Sequence, residues 1–229
     1  MTDRPIIFSA PMVRALLDGR KTQTRRLIRT TGHANIFDGT WTDGYVLDPG
    51  NADWRARFIP YAVYDRLWVR EAHYLTDDGH EDFAIFAADE NDVREHLAEI
   101  DSLPANFTAE LRARHRRLRP SIHMPRWASR LTLHVTDIRV QRLQEISRED
   151  VIAEGVSEWE GMSIANVVAG WHQPFAVLWD SLHGSGAWNA DPWVVAISLT
   201  VERANIDRAT SPSKDQTAFP GRDGTGERS

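Results

Sequence analysis

Residues 16–28 of the chain, LLDGRKTQTRRLI, combine residue types that could activate a hydroxyl group. Lys21 lies in this stretch together with Thr24, and three arginines surround the pair: Arg20, Arg25 and Arg26. A threonine hydroxyl is an effective nucleophile only beside a base, and a lysine is a base only when neutral. The ordinary pKa of about 10.4 leaves about one lysine in 2,500 neutral at pH 7, but like charge and burial lower that pKa. The stretch is interpreted either as a solvated basic turn or as a hydroxyl activated beside a charged ligand.

Two glutamates are further candidates. Glu154 is predicted in the last turn of a helix that begins at Ser147, where the helix dipole disfavours a carboxylate by about 0.3–1 kcal/mol. A charge in that place indicates a partner elsewhere, such as a lysine or a substrate N–H group, or else a simple exposed glutamate. Glu71 follows the strand-like segment LWVR, and the pattern favours a salt bridge on the face of that strand.

The segment SIHMPRWASR, residues 121–130, interleaves aromatic and basic side chains. Arg126 and Trp127 could grip a phosphate and stack on a base, as such residues do in proteins that bind unpaired nucleotides. A buried tryptophan beside surface arginines is the competing interpretation. The run RARHRRLRP at 112–120 is typical of a solvated helix face, although it could also attract a nucleic-acid backbone.

Composition narrows the possible chemistry. The chain has no cysteine, and its nine histidines include no HxH or HxxxH pair, so neither a metal site nor another cofactor is predicted. The net charge of −6 argues weakly against a protein that coats nucleic acid by bulk attraction. The segment MTDRPIIFSAP lacks the apolar run of a signal peptide, and no stretch could span a membrane. A soluble cytoplasmic protein without a membrane partner is expected.

The elements around Lys21 and Thr24 decide whether their side chains can meet. A strand is predicted at 6–9, then a short helix that ends at Gly19, then a second strand at 22–27. Strict alternation along a strand would place Lys21 and Thr24 on opposite faces. The two converge only if Lys21 belongs to the turn after Gly19.

The rest of the chain is predicted to contain further strands and short helices. The predicted strands are DRLWVREAHYL at 65–75, FAIFAA at 83–88, LTLHVTDIRVQRL at 131–143 with a bulge near Asp137, and PWVVAISLTVE at 192–202. Residues 30–60 are predicted as a loop with at most a hairpin around WTDGYVL, and 91–118 as helical. One more helix extends from Ser147, capped with the help of Asp150, to Gly155. Another covers 172–182, with four side chains inward: Phe175, Leu178, Trp179 and Leu182.

Five or more strands with few short helices predict an α+β fold built on a small mixed β-barrel. The 229 residues suffice for one domain with a proper core, which is expected over 1–206. Loop insertions are expected at about 29–62 and 77–120. From Asp207 the composition becomes polar and rich in Pro, Gly and Ser, which predicts a disordered tail over 207–229.

Several segments together resemble the ASCH-domain family of the PUA-like superfamily, in particular its larger members carried by phages and prophages. These segments are FSAPMVRALLDGRKTQTRR, LWVREAHY, SIHMPRWASRLTLHVTDIRVQRL, ISREDVIAEG and DPWVVAIS. The pattern G-x-K-x-x-T-x-R is formed here by Gly19, Lys21, Thr24 and Arg26. It is specific when D-x-L-x-V and a later helix ending in E-G follow, as they do in this chain. The similarity covers about 6–201 without the insertions.

The resemblance implies a PUA-like β-barrel whose cleft handles a nucleobase or RNA. One branch of the family consists of small bacterial amidohydrolases that remove the acetyl group from N4-acetylcytidine. Their proposed catalytic groups are a threonine nucleophile, a lysine that activates it and a glutamate, and these roles correspond to Thr24, Lys21 and Glu154. The candidate substrate-binding residues are Arg20, Arg26, Glu71, Arg126 and Trp127.

The expected function is therefore a metal-independent amidohydrolase that acts on N4-acylated cytosine nucleosides. The chain departs from the small enzymes in its two insertions and in Arg25, where they carry an apolar residue, and these differences leave the size of the substrate open. The alternative is a module that binds RNA or a modified base without hydrolysis. Ribonuclease activity has precedent in the family, but the sequence contains no histidine pair that favours it.

Overall fold

A computed structural model of the protein describes residues 1–28, 42–48, 50–77, 81–103, 108–156 and 170–209. The strands are β1 (Asp3–Ile7), β2 (Gln23–Leu27), β3 (Arg66–Arg70), β4 (His73–Asp77), β5 (Asp82–Phe86), β6 (Thr132–Arg142) and β7 (Trp193–Glu202). The α-helices of this part of the chain are α1 (Ala10–Leu17), α2 (Asp43–Leu47), α3 (Ala52–Phe58), α4 (Glu90–Ser102), α5 (Ala109–His115), α6 (Arg148–Ala153) and α7 (Gln173–His183). Short 3-10 turns occupy Ser121–His123, Arg126–Ala128 and Leu143–Glu145.

Five strands form one mixed sheet in the order β1-β3-β6-β7-β2, and β4 pairs with β5 in a separate two-stranded sheet. The β1–β3 pair is parallel, whereas the other pairs are antiparallel. The predicted α+β class is confirmed. In the described part of the chain the large sheet is open, because β1 and β2 are its two edges and no backbone ladder joins them. A side chain bridges these edges instead: Arg26 Nη2 donates to the carbonyl oxygen of Ile7 over 2.8 Å.

Strand β7 is buried on both faces, which explains why its sequence is almost continuously apolar. On one face Val195 and Ile197 pack with Leu133 of β6 and with α1 in the main hydrophobic core. On the other face Val194 packs in a second cluster formed with α6 and α7. The other buried members of this second cluster are Leu143, Ile146, Val151, Phe175 and Trp179. The sheet therefore lies between two apolar layers, and β2 lies at the edge beside β7.

Local signals around the future site are confirmed. Gly19 ends the α1 turn at φ +72°, and Gly155 follows α6 at φ +79°, both in the left-handed region that glycine tolerates. The Ser147 hydroxyl accepts a hydrogen bond from the amide of Asp150, as expected of a cap. The predicted bulge in β6 lies between Val135 and Asp137.

Three predictions of local structure were wrong. The described part of 30–60, predicted as a loop with at most a hairpin around WTDGYVL, contains helices α2 and α3, and the Thr42 hydroxyl caps the amide of Tyr45 at the start of α2. The predicted strand at 65–75 is two strands in different sheets, β3 and β4, because the chain leaves the large sheet after Arg70 and pairs with β5.

The third error concerns helix α7. Its residues Phe175 and Trp179 face the core, but Leu182 is 49% exposed because it lies where the helix extends past the second apolar cluster.

At the end of the described chain, Asp207 pairs with Arg126. The remainder of the expected tail, 210–229, lies outside the described residues. Among the helices that the structure describes, none has the length and apolar character needed to cross a membrane.

Candidate active site

Lys21 lies outside β2, in the turn after Gly19, and this position brings its side chain to the end of α6. Its backbone forms an isolated antiparallel bridge with Glu154. The amide of Lys21 donates to the carbonyl of Ala15 over 3.0 Å, and the next amide donates to the carbonyl of Ala153 over 2.8 Å. Two elements thus fix the backbone of this turn, and the lysine side chain points into the protein.

Glu154 is the residue that Lys21 meets. The amine Nζ donates to Glu154 Oε2 over 2.7 Å and to the backbone carbonyl of the same residue over 2.8 Å. The side chain of Lys21 is 1% exposed and that of Glu154 is 4% exposed, so the pair is almost fully removed from water. Glu154 is the C-terminal cap of α6, and its unfavourable place beside the helix dipole is offset by a lysine partner, one of the partners that the sequence analysis anticipated.

Arg25 takes the second oxygen of the same carboxylate. Its Nη1 donates to Glu154 Oε1 over 3.0 Å and to Gln23 Oε1 over 2.6 Å. Its Nη2 donates to Asp150 Oδ2 over 2.6 Å. Because Gln23 and Arg25 are two residues apart in β2, both side chains reach the same side of the strand and contact α6, which Lys21 reaches from the turn. We call Lys21, Arg25, Asp150 and Glu154 the buried charge cluster.

Asp150 connects the buried charge cluster to the neighbouring strands. Its Oδ1 accepts from Gln23 Nε2 over 3.1 Å and from Arg139 Nη2 over 2.9 Å. Burial by itself raises the pKa of Asp150, but the hydrogen bond from Arg139 and the charge of Arg25 outweigh it and hold that pKa below its usual value. The carboxylate therefore remains charged well into the acid range.

Burial lowers the pKa of Lys21, because the charged ammonium is deprived of water. The negative charge of Glu154 opposes this effect, while the positive charges of Arg26 and Arg25 add to it. The nearest aromatic ring is that of Phe8, whose centroid lies 5.7 Å from Nζ. Sequence alone could not show whether burial or neighbouring charge has the larger effect on the pKa of Lys21. In the structure, burial has the larger effect.

Thr24 lies near Glu154, because both residues line the same small pocket together with Arg26. The pocket has a volume of about 20 Å³, which is enough for about one water molecule. Arg25 and His183 also line the pocket, and the rest of its wall consists of apolar side chains of α1 and α7: Met12, Phe175, Leu178, Trp179 and Leu182. The hydrogen bonds of Lys21 Nζ go to Glu154 and not to Thr24.

A larger cleft of about 440 Å³ adjoins this pocket between α1 and α7. Met12, Glu154 and Leu178 line both cavities, so Glu154 lies at their junction. Arg20 also lines the larger cleft, where it donates to the backbone carbonyl of Gly155 over 3.0 Å. A cleft of this volume is within the range that small-molecule ligands occupy.

The candidate residue Arg26 lies on the Thr24 side of β2. Its guanidinium carbon is 4.9 Å from the centroid of the Phe8 ring, and burial lowers the pKa of the side chain. The structure therefore brings together five of the sequence candidates. These are Lys21, Thr24, Glu154, Arg26 and, at the rim of the larger cleft, Arg20.

The other three candidates contact different groups. Glu71 is buried and receives two hydrogen bonds from Arg130, at 2.9 and 3.0 Å, which matches the salt bridge that its strand pattern favoured. Burial raises the pKa of Glu71. Arg126 pairs with Asp3 and Asp207, each over 2.7 Å. Trp127 is 49% exposed, so the interpretation of this segment as a buried tryptophan beside surface arginines was wrong.

Some arginines of the run at 112–120 contact the rest of the protein, and others are exposed. Arg112 donates to backbone carbonyls at the end of α4, and Arg116 pairs with Asp101. Arg114 and Arg117 are exposed. This arrangement fits the solvated helix face that the sequence indicated, with a small basic surface at its exposed side.

Sequence reasoning did not assign Arg25 or Asp150 to the site, although two signals pointed there. The alternation of Gln23 and Arg25 places two polar side chains on one face at the buried start of β2. In addition, Lys21 and Lys214 are the only lysines among 27 basic residues, so the other 25 are arginines. A chain that uses arginine almost everywhere has a lysine at one of its buried cationic positions.

The fold and the site together define an α+β protein with a buried lysine–glutamate–arginine arrangement beside a threonine and a ligand-sized cleft. Comparisons of the chain with protein-family models, with curated proteins and with solved structures gave no match. Within the ranges that the structure describes, no group of three or more histidine or carboxylate side chains is placed to hold a metal ion.

Proposed function

We propose that the protein is an ASCH-type, PUA-like amidohydrolase that removes the acyl group from N4-acylated cytosine nucleosides. The observation that carries this proposal is the buried contact of Lys21 with Glu154 beside Thr24. The residue types and their order follow the family resemblance described above. The proposed substrate is a free nucleoside, which would occupy the larger cleft and direct its acyl group past Glu154 into the smaller pocket.

The hydrogen bonds of Lys21 suit a neutral amine that acts as a base as well as they suit an ammonium. A neutral amine has two N–H groups and one lone pair, and the two acceptors of Glu154 account for both N–H groups. The lone pair is then available for a proton. Because burial lowers the pKa of Lys21, the neutral form is more abundant than in a free lysine.

In the proposed mechanism Lys21 Nζ removes the proton of Thr24 Oγ1 while this oxygen attacks the acyl carbon. The ammonium formed stays paired with Glu154 and returns the proton to N4 as the carbon–nitrogen bond breaks. Cytidine leaves, and an acyl ester remains on Thr24. A water molecule, deprotonated by Lys21, then hydrolyses the ester, the proton returns to Thr24 Oγ1, and the acyl group leaves as a carboxylic acid.

The first test is the conversion of N4-acetylcytidine to cytidine, followed by chromatography. We expect Lys21→Met and Thr24→Val, which keep the approximate side-chain volumes, to lower kcat/KM by about 10²–10⁴-fold because each removes a reacting group. Thr24→Ser should retain part of the activity. Thr22→Val is the matched control, since Thr22 is exposed and two residues from the proposed nucleophile.

The outcomes separate the possible mechanisms. Loss of activity in Lys21→Met with full activity in Thr24→Val would replace the acyl-threonine step by direct attack of a water that Lys21 activates. No turnover of N4-acetylcytidine or of bulkier N4-acyl cytidines by the wild-type protein would reject the proposed function. The alternative would then be a module that binds RNA or a modified base, for which the exposed Arg114, Arg117 and Trp127 are the available contacts.

A further inference from the structure

The carboxylate of Glu154 is shared between two cations. Lys21 Nζ lies 2.7 Å from Oε2, and Arg25 Nη1 lies 3.0 Å from Oε1. The side chain of Arg25 is fully buried, and its other terminal nitrogen is 2.6 Å from Asp150. A guanidinium is planar and presents its donors in a fixed geometry, so one arginine can hold two carboxylates at a defined separation. Arg25 thereby fixes Glu154 independently of Lys21.

Arg25 neutralises part of the charge of Glu154 without Lys21. The buried guanidinium of Arg25 contacts both Glu154 and Asp150, whereas the half-exposed Arg139 contacts only Asp150 of these two carboxylates. Because one oxygen of Glu154 already has a cationic partner, an ammonium at Lys21 is stabilised less by this carboxylate than it would be as its single partner. The contact of Arg25 with Glu154 therefore disfavours the protonated amine.

We propose that Arg25 is a positioning residue: it holds and neutralises Glu154, which leaves the amine of Lys21 free to act as an uncharged base. The effect of Arg25 on turnover rests on the proposed function. The geometric basis of the inference, the division of one buried carboxylate between two cations, is independent of the substrate. The resemblance does not supply it, because the small amidohydrolases carry an apolar residue at this position.

The choice of residue types supports this division of roles. Arginine remains charged in proteins, whereas lysine can lose its proton when it is buried. Of the two buried cations that contact Glu154, the one that can become neutral is therefore Lys21. Arg25 also leaves its Nε without a hydrogen-bond partner among the described residues. An unsatisfied buried donor is unfavourable, which indicates that contact with both carboxylates determines the orientation of this guanidinium.

The charged groups that face Lys21 come from two elements. Glu154 at the end of α6 is the acidic group, and Arg25 and Arg26 of β2 are the basic groups. The remaining neighbours, Phe8 and Ala15, are uncharged. Replacement of Arg25 by methionine therefore removes one repelling charge and leaves Lys21 as the single close partner of the Glu154 carboxylate.

The titration of Lys21 can be measured directly because the chain contains two lysines. We suggest NMR of the full-length protein labelled with ¹³C,¹⁵N-lysine, in which the signals of Lys21 and Lys214 are assigned with Lys214→Arg. In the wild-type protein we expect Lys21 to titrate below the ordinary value of about 10.4. In Arg25→Met we expect the measured pKa to rise, because a repelling charge is removed and Lys21 becomes the single partner of Glu154.

The matched control is Arg139→Met. Arg139 holds the same Asp150 but does not contact Glu154, so its loss should leave the pKa of Lys21 near the wild-type value. Turnover supplies a second measurement. The acid limb of kcat/KM should move to higher pH in Arg25→Met, and the activity lost at pH 7 should return as the pH rises, which a damaged fold would not produce.

Each result of the titration and turnover measurements either supports or overturns the inference. A wild-type Lys21 that titrates at or above the free-lysine value overturns it without any variant, which covers the case in which Arg25→Met does not fold. Equal Lys21 titration in the wild-type protein and in Arg25→Met also overturns it. A low Lys21 pKa that depends on Arg25, together with no turnover of N4-acyl cytidines, supports the inference and rejects the proposed function.

Discussion

At the residue scale, one backbone position determines whether Lys21 can approach Glu154. Gly155 follows the glutamate at φ +79°. A Cβ atom on this residue would lie 2.9 Å from Lys21 Cβ and 3.0 Å from Ala15 Cβ. Such distances are shorter than real Cβ contacts, so a side chain here would displace the turn that carries the lysine. The close approach of α6 to this turn requires a glycine at residue 155.

We therefore expect Gly155→Ala to lower the free energy of unfolding by about 2–5 kcal/mol. This range combines about 1–2 kcal/mol for the left-handed conformation with about 1–3 kcal/mol for overpacking. Gly19→Ala is the matched control, because Gly19 has φ +72° but no atom within 4 Å of the added Cβ, and only the conformational cost applies. Urea unfolding measures both values. Equal losses in the two variants would contradict the close contact.

At the element scale, helix α6 presents two carboxylates to the strand opposite. Asp150 and Glu154 lie four residues apart, so both point to the same side of the helix. Arg25 of β2 contacts both of them. The helix is thereby aligned with β2 by charged contacts, while Val151 anchors it in the second apolar cluster. A short helix of six residues depends on such tertiary contacts for its stability.

The contribution of Asp150 to stability should depend on pH. Its folded-state pKa lies below the ordinary value of about 3.9, so its contribution is fully present above that pH and is lost as the pH falls through the folded-state pKa. We expect Asp150→Asn to lower the unfolding free energy by about 1.5–3 kcal/mol at pH 7, the range for hydrogen bonds to charged groups. The difference should shrink below about pH 3.9.

Urea unfolding over a series of pH values measures this dependence. Asp137→Asn is the matched control: Asp137 is exposed and lies 3.6 Å from Arg139, so its removal should change stability by less than about 1 kcal/mol. A pH-independent difference between the wild-type protein and Asp150→Asn would show that the ionised carboxylate does not stabilise the fold.

At the scale of the whole molecule, the buried charge cluster and the exposed arginines at the end of α5 belong to different elements. The buried charge cluster lies between β2 and α6, whereas Arg114 and Arg117 lie on the surface at the end of α5. The net charge of −6 provides no general attraction for a polyanion. Salt dependence can therefore distinguish a nucleoside hydrolase from an RNA-binding module.

We expect kcat/KM for N4-acetylcytidine to change less than about twofold between 50 and 200 mM salt, because the nucleoside carries no phosphate. Binding to a fluorescent single-stranded RNA through several phosphates would instead weaken by about tenfold or more over this range. Anisotropy measures the second quantity, and the double variant Arg114→Gln, Arg117→Gln should leave deacylation unchanged. Turnover with a steep salt dependence would indicate that the substrate is part of a strand.

The sequence by itself determined the features that depend on neighbouring residues. The glycine turns at 19 and 155, the cap at Ser147 and the bulge near Asp137 follow from local backbone preferences and side-chain hydrogen bonds. The position of Glu154 at the end of a helix also followed from sequence, together with the expectation that a lysine is one possible partner. Local rules failed at WTDGYVL and after Arg70, where a helix cap and a change of sheet determined the path of the chain.

Only the tertiary structure decided which charges meet. Lys21 and Glu154 are 133 positions apart, and Arg25 and Asp150 are 125 positions apart, so no pattern of neighbouring residues specifies these pairs. Their contact depends on β2 joining the edge of the sheet beside β7 and on α6 packing against it through the second apolar cluster. The burial that lowers the pKa of Lys21 has the same origin, because exclusion of water requires all of these elements together.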